Sequence, residues 1–134
     1  QAGGEYGAAT GRPRRVGPFD AVASRYGLKC QNADQIALTK LDVLSSLKEI
    51  PLIIAYQKGA EKITEFDPTE DMDNCIPVIE MVPGWQEDII GCRTYEELPK
   101  NAKNYIETLE RLLNHKIQMI SVGARRDQYL MKEI

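Results

Sequence analysis

The sequence has little that would suit it to a membrane, an oxidising compartment or a polyanion. Its longest apolar run, Ile50 to Tyr56, is far short of the roughly 20 residues a bilayer-crossing helix needs. No charged-then-apolar signal segment opens the chain. Cysteine is sparse and odd in number, at Cys30, Cys75 and Cys92, with no CxxC spacing and a lone histidine, His115. That pattern excludes a disulfide framework or a Cys/His zinc site and predicts reduced thiols. The net charge is only −3, too small a field to point to nucleic acid or a membrane surface. A cytoplasmic, soluble protein is the expectation. Nowhere in the sequence is there a phosphate loop of the form G-x-x-x-x-G-K-[ST].

What is present is an ordinary globular composition, 43% hydrophobic and 28% charged over 134 residues, enough for one domain that buries about two thirds of its unfolded surface. The chain opens at Gln1 without methionine and runs directly into Gly3-Gly4-Glu5-Tyr6-Gly7, which suggests a fragment of a longer protein. Phe19, Val22, Ala23 and Tyr26 predict a helix over Phe19 to Leu28 with Asp20 in its first turn. Strands are expected at Gln35 to Thr39, at Ile50 to Gln57, at Glu61 to Phe66 after a Lys58-Gly59 turn, and at Ile76 to Met81, ending at Pro83-Gly84-Trp85. Trp85 reads as a packing residue. Ala102, Tyr105, Ile106, Leu109, Leu112 and Leu113 fall on one face of a helix over residues 100–114, closed by Asn114 and His115. Ile117 to Val122 and Gln128 to Ile134 close the chain as strands. The fold class is α/β, a mixed sheet with flanking helices, without an internal repeat. Residues 67–75 form an acidic loop; its carboxylates lack the glycine and terminal glutamate of an EF-hand, so a solvated loop is preferred over a calcium site.

Within residues 1–18, Thr10-Gly11-Arg12-Pro13-Arg14-Arg15 gathers three cations, a hydroxyl and a glycine. Guanidinium forks bind carboxylate or phosphate bidentately, and a glycine lets backbone N–H groups approach the same anion. A solvated basic turn or a nonspecific polyphosphate contact remains the alternative to a small anionic substrate. No aromatic residues are interleaved here to stack on bases.

Residues 35–47 hold a second candidate. Lys40-Leu41-Asp42 follows a strand, where a carboxylate can accept hydrogen bonds from guanine N1–H and the exocyclic amine while the lysine stem covers the base. Such a site can reject the wrong base by about 10⁴. The alternative is a plain strand followed by an N-capping Asp42.

In order along the chain, E-Y-G-A-A-T-G-R-P-R-R (Glu5 to Arg15), A-L-T-K-L-D-V-L (Ala37 to Leu44), P-G-W (Pro83 to Trp85), E-L-P-K-N-A-K-N-Y-I (Glu97 to Ile106) and S-V-G (Ser121 to Gly123) resemble the adenylosuccinate synthetase family. The resemblance implies the C-terminal part of a longer enzyme with a P-loop-related nucleotide-binding fold. It also implies the reaction, in which GTP phosphorylates the 6-oxygen of IMP and aspartate then displaces that phosphate. By resemblance, Ala8, Ala9, Thr10, Gly11, Arg12, Pro13 and Arg14 form the aspartate loop, Arg12 also contacts IMP, and Arg14 reaches towards GTP. Lys40, Leu41 and Asp42 hold guanine, and Ser121, Val122 and Gly123 complete its pocket. The phosphate loop, the catalytic aspartate and histidine, and the Mg2+ site belong to an N-terminal part outside this chain, which alone is expected to be inactive. His115 matches no catalytic residue. The full-length enzyme is implied to be a homodimer, and a non-catalytic module for guanine nucleotides or acidic ligands is the rival reading. The chain departs from the family pattern at Ala8, Ala9 and Pro18, at Ser45-Ser46, and at Ala124-Arg125-Arg126 after Gly123.

Overall fold

A computed structural model describes residues 2–133, so the expectations placed on Gln1 and Ile134 lie outside the described residues. In chain order the elements are β1 (Phe19–Asp20), α1 (Ala21–Gln31), β2 (Ile36–Leu38), β3 (Glu49–Lys58), β4 (Glu61–Ile63), β5 (Ile76–Pro83), α2 (Lys100–Leu113), β6 (Ile117–Ser121) and β7 (Tyr129–Met131). Among the described residues no helix is long and apolar enough to cross a membrane.

The first helix starts later than its periodicity predicts. Phe19 and Asp20 are extended and pair in parallel with Leu52 and Ile53. Asp20 is not in the first turn but caps it, its Oδ1 accepting from the Ala23 N–H at 2.9 Å. A short acidic side chain satisfies an orphan helix donor best from just outside the helix. Tyr56 donates from its hydroxyl to the other oxygen of Asp20, which fastens the start of α1 to β3.

Two sheets form where one was expected. In the first, β3 pairs in parallel with β1 and antiparallel with β4 and β5; in the second, β6 lies between β2, parallel to it, and β7, antiparallel. Both are mixed. The long β3/β5 pairing shifts register between Ile53 and Ala55, with Ile54 as the extra residue. A bulge moves alternate side chains to the other face, and buried positions accordingly run Ile50, Leu52, then Ile53, Ala55. The β4 strand stops at Ile63 instead of Phe66. Beyond it, Arg25 donates to the Thr64 carbonyl, and Phe66 stacks obliquely on Tyr26 with ring centroids 4.9 Å apart, so the chain leaves β3 for α1.

Helix α2 carries the face its sequence announces. Ala102, Tyr105, Ile106, Leu109 and Leu113 are buried, and Asn114 ends it in the left-handed region at φ 53°. It packs on α1 and β5, and its apolar face meets Leu52, Val82, Trp85, Ile117, Ile120 and Leu130 in one core. His115 sits at the helix end as expected, its Nδ1 2.9 Å from the Leu113 carbonyl. At the end of β5, Pro83 is exposed while Trp85 is buried, and a Cβ on Gly84 would lie 1.9 Å from the Leu47 carbonyl oxygen.

The last strand, β7, begins at Tyr129 because Gln128 serves the preceding turn. Its carbonyl accepts from Val122 N–H at 2.9 Å and its side chain from Arg125 N–H at 2.9 Å. A largely buried ion pair then fastens Lys132, the residue after β7, to α2. Glu110 accepts from Lys132 with one oxygen and from the Ile117 N–H with the other at 3.0 Å.

Candidate functional site

The arginine segment is a small antiparallel hairpin and not an open turn. Tyr6 bridges Pro13, Gly7 N–H donates to the Arg12 carbonyl at 2.8 Å, and Arg14 N–H donates to the Glu5 carbonyl at 2.8 Å. Ala8, Ala9, Thr10 and Gly11 form its exposed tip. Gly11 turns the chain at φ 67°, where a side chain would be strained, and donates to the Gly7 carbonyl at 2.9 Å. The Thr10 hydroxyl faces back into the hairpin, accepting from Arg12 N–H at 3.4 Å. Pro13 sits in the ladder opposite Tyr6, between Arg12 and Arg14, whose backbone groups make the cross-strand hydrogen bonds. The Arg12 side chain makes no ion pair or hydrogen bond among the described residues and is exposed.

Arg14 is engaged, and its partner is the residue the sequence reading left out of the site. Glu5 accepts from Arg14 Nη1 with one carboxylate oxygen, at 3.2 Å, and from Lys40 Nζ with the other. Lys40 also donates to the Gly3 carbonyl at 2.9 Å. The two cations hold the Glu5 carboxyl below its ordinary pKa, with Lys40 the larger cause and burial opposing. Thus the basic hairpin and the Lys-x-Asp segment meet through a single carboxylate. Pro13 and Arg14 of the hairpin and Lys40 and Leu41 of the base segment line a common cavity of about 600 Å³ with Tyr6, Phe19, Leu38, Val43, Leu44 and Tyr105, whereas Ala8 to Arg12 and Asp42 do not line it. Tyr105 and Leu41 are buried, and burial pushes the Tyr105 hydroxyl up to about 12.

Beyond β2, Lys40 adopts φ 60° and Leu41 to Leu44 form a turn of 3-10 helix. Asp42 therefore lies inside that turn and is not its N-cap; the capping position belongs to Lys40. The Asp42 carboxylate, half-buried, makes no hydrogen bond among the described residues, while its carbonyl accepts from Ser45 N–H at 3.1 Å. Leu41 is buried and anchors the turn in the core. Ser45 takes a role of its own, its hydroxyl accepting from the Trp85 indole N–H at 2.9 Å.

Ser121, Val122 and Gly123 are carried to the same end of the second sheet, because β6 runs parallel beside β2 with Ile120 opposite Leu38. They do not line the cavity. Val122 and Gly123 are buried, and the Ser121 hydroxyl donates to the Gly123 carbonyl at 3.1 Å. A Cβ on Gly123 would meet the Gln128 side chain at 2.2 Å. The structure thus joins the arginine hairpin to Lys40 directly, leaves Asp42 outside the cavity lining and sets the third segment alongside.

A larger depression, about 920 Å³, lies between residues 93–96 and 126–133. No predicted site residue lines it, its Arg93 pairs with Asp127 and its Lys132 with Glu110, and it has no link to the hairpin. Charged groups from two separate segments converge at the smaller cavity, which makes it the candidate site. Among the described residues no group of three or more His, Cys, Asp or Glu side chains could hold a metal ion. The one carboxylate among the cavity's lining residues, Glu5, is already engaged by two cations.

Comparison with known proteins bears on this geometry. The family model described as adenylosuccinate synthetase matches residues 1–130. The chain is 50% identical over 132 residues to adenylosuccinate synthetase of Trichlorobacter lovleyi, covering 98% of this chain and 31% of the relative. To that of Saccharopolyspora erythraea it is 45% identical over 133 residues, with 98% and 31% covered. A solved structure of fully ligated adenylosuccinate synthetase from Plasmodium falciparum superimposes with a TM-score of 0.91 at 41% identity, covering 98% of this chain and 32% of that one. The chain therefore spans about a third of the length of these relatives. The matches do not support the expected assignment to the C-terminal part of a P-loop-related fold; what they share with the structure is the mixed α/β arrangement of two sheets and two helices.

Proposed function

The chain belongs to the adenylosuccinate synthetase family, and from that membership we propose that it supplies the substrate hairpin and the base-reading segment of a ligase that joins IMP and aspartate. GTP drives the reaction, and adenylosuccinate, GDP and phosphate are its products. In this reading the exposed tip from Ala8 to Gly11 closes on aspartate. Arg12, whose side chain has no partner among the described residues, turns to a substrate carboxylate and to IMP. Arg14 bridges aspartate and GTP. Lys40 lays its aliphatic stem over guanine, Leu41 fixes the turn, and Asp42 accepts from the two guanine donors that adenine lacks. Ser121, Val122 and Gly123 close the base pocket from the neighbouring strand end.

The observation that carries the proposal is the shared cavity, in which the hairpin and Lys40 converge on Glu5. A small dianionic substrate beside a base fits such a place better than a polymer does, since the charge is concentrated and no aromatic row lies open for stacking. The residues that grip phosphate, move protons and hold Mg2+ are assigned to the rest of the longer chain. When bound there, the metal would offset the charge of the transferring phosphoryl group. This segment alone is proposed to be inactive, and the whole enzyme to work in the cytoplasm as a homodimer.

Steady-state kinetics of the enzyme carrying this chain test the assignments. Asp42→Asn should erode guanine selectivity, in the limit by about 10⁴. Arg14→Leu should raise the aspartate KM by about tenfold to a hundredfold, the worth of a charged hydrogen bond. Unchanged selectivity and unchanged KM in these variants would overturn the residue roles. Micromolar GTP binding by the 134-residue chain alone would instead favour a self-sufficient binding module.

A further inference from the structure

We propose that Glu5 is a positioning residue that links the two halves of the site, holding Lys40 of the base segment and Arg14 of the hairpin so that occupancy of one side is felt on the other. The inference rests on the functional reading above for the identity of the ligands, but not for the link itself.

Three observations carry it. First, the carboxylate is divided: one oxygen faces Arg14, the other Lys40. Neither cation can leave without changing what the other meets. Second, Glu5 is the fixed member. Its side chain is 32% exposed against 58% for Arg14 and 52% for Lys40, and its carbonyl is locked into the hairpin ladder by Arg14 N–H. Third, Lys40 has a backbone that needs such a hold. It is a non-glycine residue at φ 60°, and its ammonium is tied both to Glu5 and to the Gly3 carbonyl, 37 residues away in sequence. The hold fixes where the aliphatic stem lies, and the stem is the part proposed to cover the base.

The direction of the coupling follows from the charges. When an anionic substrate draws Arg14 away, Glu5 keeps a single partner and its attraction for Lys40 is no longer shared. Lys40 is then held more firmly. Binding on the hairpin side should therefore tighten binding on the base side, and by reciprocity the reverse. The groups are exposed enough for solvent to screen them, so the coupling should be about twofold to fivefold, the size of an exposed ion pair.

Two measurements on the protein carrying this chain decide the matter. Dissociation constants for GTP with and without saturating aspartate give the coupling factor. It should be reduced about twofold to fivefold in Glu5→Gln, what is left being the direct bridge by Arg14, and be less reduced in Glu5→Asp, with thermal unfolding showing each variant folded. A factor in Glu5→Gln equal to that of the unaltered protein would overturn the link. The second measurement needs no nucleotide: the rate at which a trace acylating reagent labels the Lys40 amine. Labelling should speed up about twofold to fivefold in Glu5→Gln and slow down in Arg14→Leu. Labelling that ignores both substitutions overturns the link even if GTP binds. Labelling that responds while GTP does not bind supports the link and removes the functional reading.

Discussion

Removing the carboxylate of Glu110 tests how the third segment of the site is held in place. The side chain is 6% exposed and its partner Lys132 15%, while its second oxygen satisfies the Ile117 N–H at the start of β6. Lys132 in turn lies 5.2 Å above the Tyr95 ring and donates its backbone N–H to the Gln118 carbonyl at 2.8 Å. Glu110→Ala leaves a buried N–H unpaired and an ammonium largely without water or counter-charge. Breaking a buried pair from one side costs about 3–5 kcal/mol. Here Lys132 retains a little solvent and its aromatic neighbour, which argues for about 2–4 kcal/mol. Urea unfolding at neutral pH measures it. The companion variant Glu110→Met with Lys132→Met removes both charges and fills the space, so most of the loss should return, leaving about 1–2 kcal/mol for the orphaned Ile117 N–H. A single-variant loss under 1 kcal/mol, or a double variant no better than the single, would refute the claim that the pair is buried and coupled.

Two further predictions concern the frame. Gly84→Ala should destabilise the protein by about 3 kcal/mol or more, because a Cβ there would lie 1.9 Å from the Leu47 carbonyl oxygen, and backbone must move to admit it; chemical denaturation is the check. The Tyr56 hydroxyl is pushed up to about 12 by burial and then by its hydrogen bond to Asp20. Since the folded state keeps this proton longer than the unfolded one, the stability it confers is complete below about pH 10 and is lost as pH rises towards 12. Tyr56→Phe should lose about 1 kcal/mol at neutral pH and show a shallower decline across that window; an identical alkaline decline in both proteins would refute it.

How much of this was legible in the sequence depended on how local the cause was. Helix α2 could be read because its apolar residues recur every three or four positions and Asn114 follows them. The β3 and β5 strands could be read as apolar runs, and Gly59 as the turn after the first. The bulge at Ile54 could not, since nothing in the run itself says which residue lacks a partner on β5. Phe19 and Asp20 were misread because a capping aspartate and a first-turn aspartate look alike until the pairing with Leu52 and Ile53 is known. Of the site, the hairpin and Lys40-Leu41-Asp42 stood out by residue type. Glu5 did not, because a glutamate beside glycines has no local signature, and its partners arrive from nine and 35 residues away. The tied base of the hairpin, from Glu5 to Arg14, was not foreseen.

Lys40 also bears on how far this protein can be made more robust. Its left-handed backbone at φ 60° costs a residue with a Cβ about 1–3 kcal/mol, and glycine would occupy the same conformation without that strain. A search for thermostable variants that scores only unfolding temperature should therefore be drawn to Lys40→Gly. The change would relax the chain and, in the same step, delete the ammonium that meets Glu5 and the stem proposed to lie over the base. Position 40 is thus a place where selection for thermal stability and selection for ligand capture pull in opposite directions, and screening of this protein should score both.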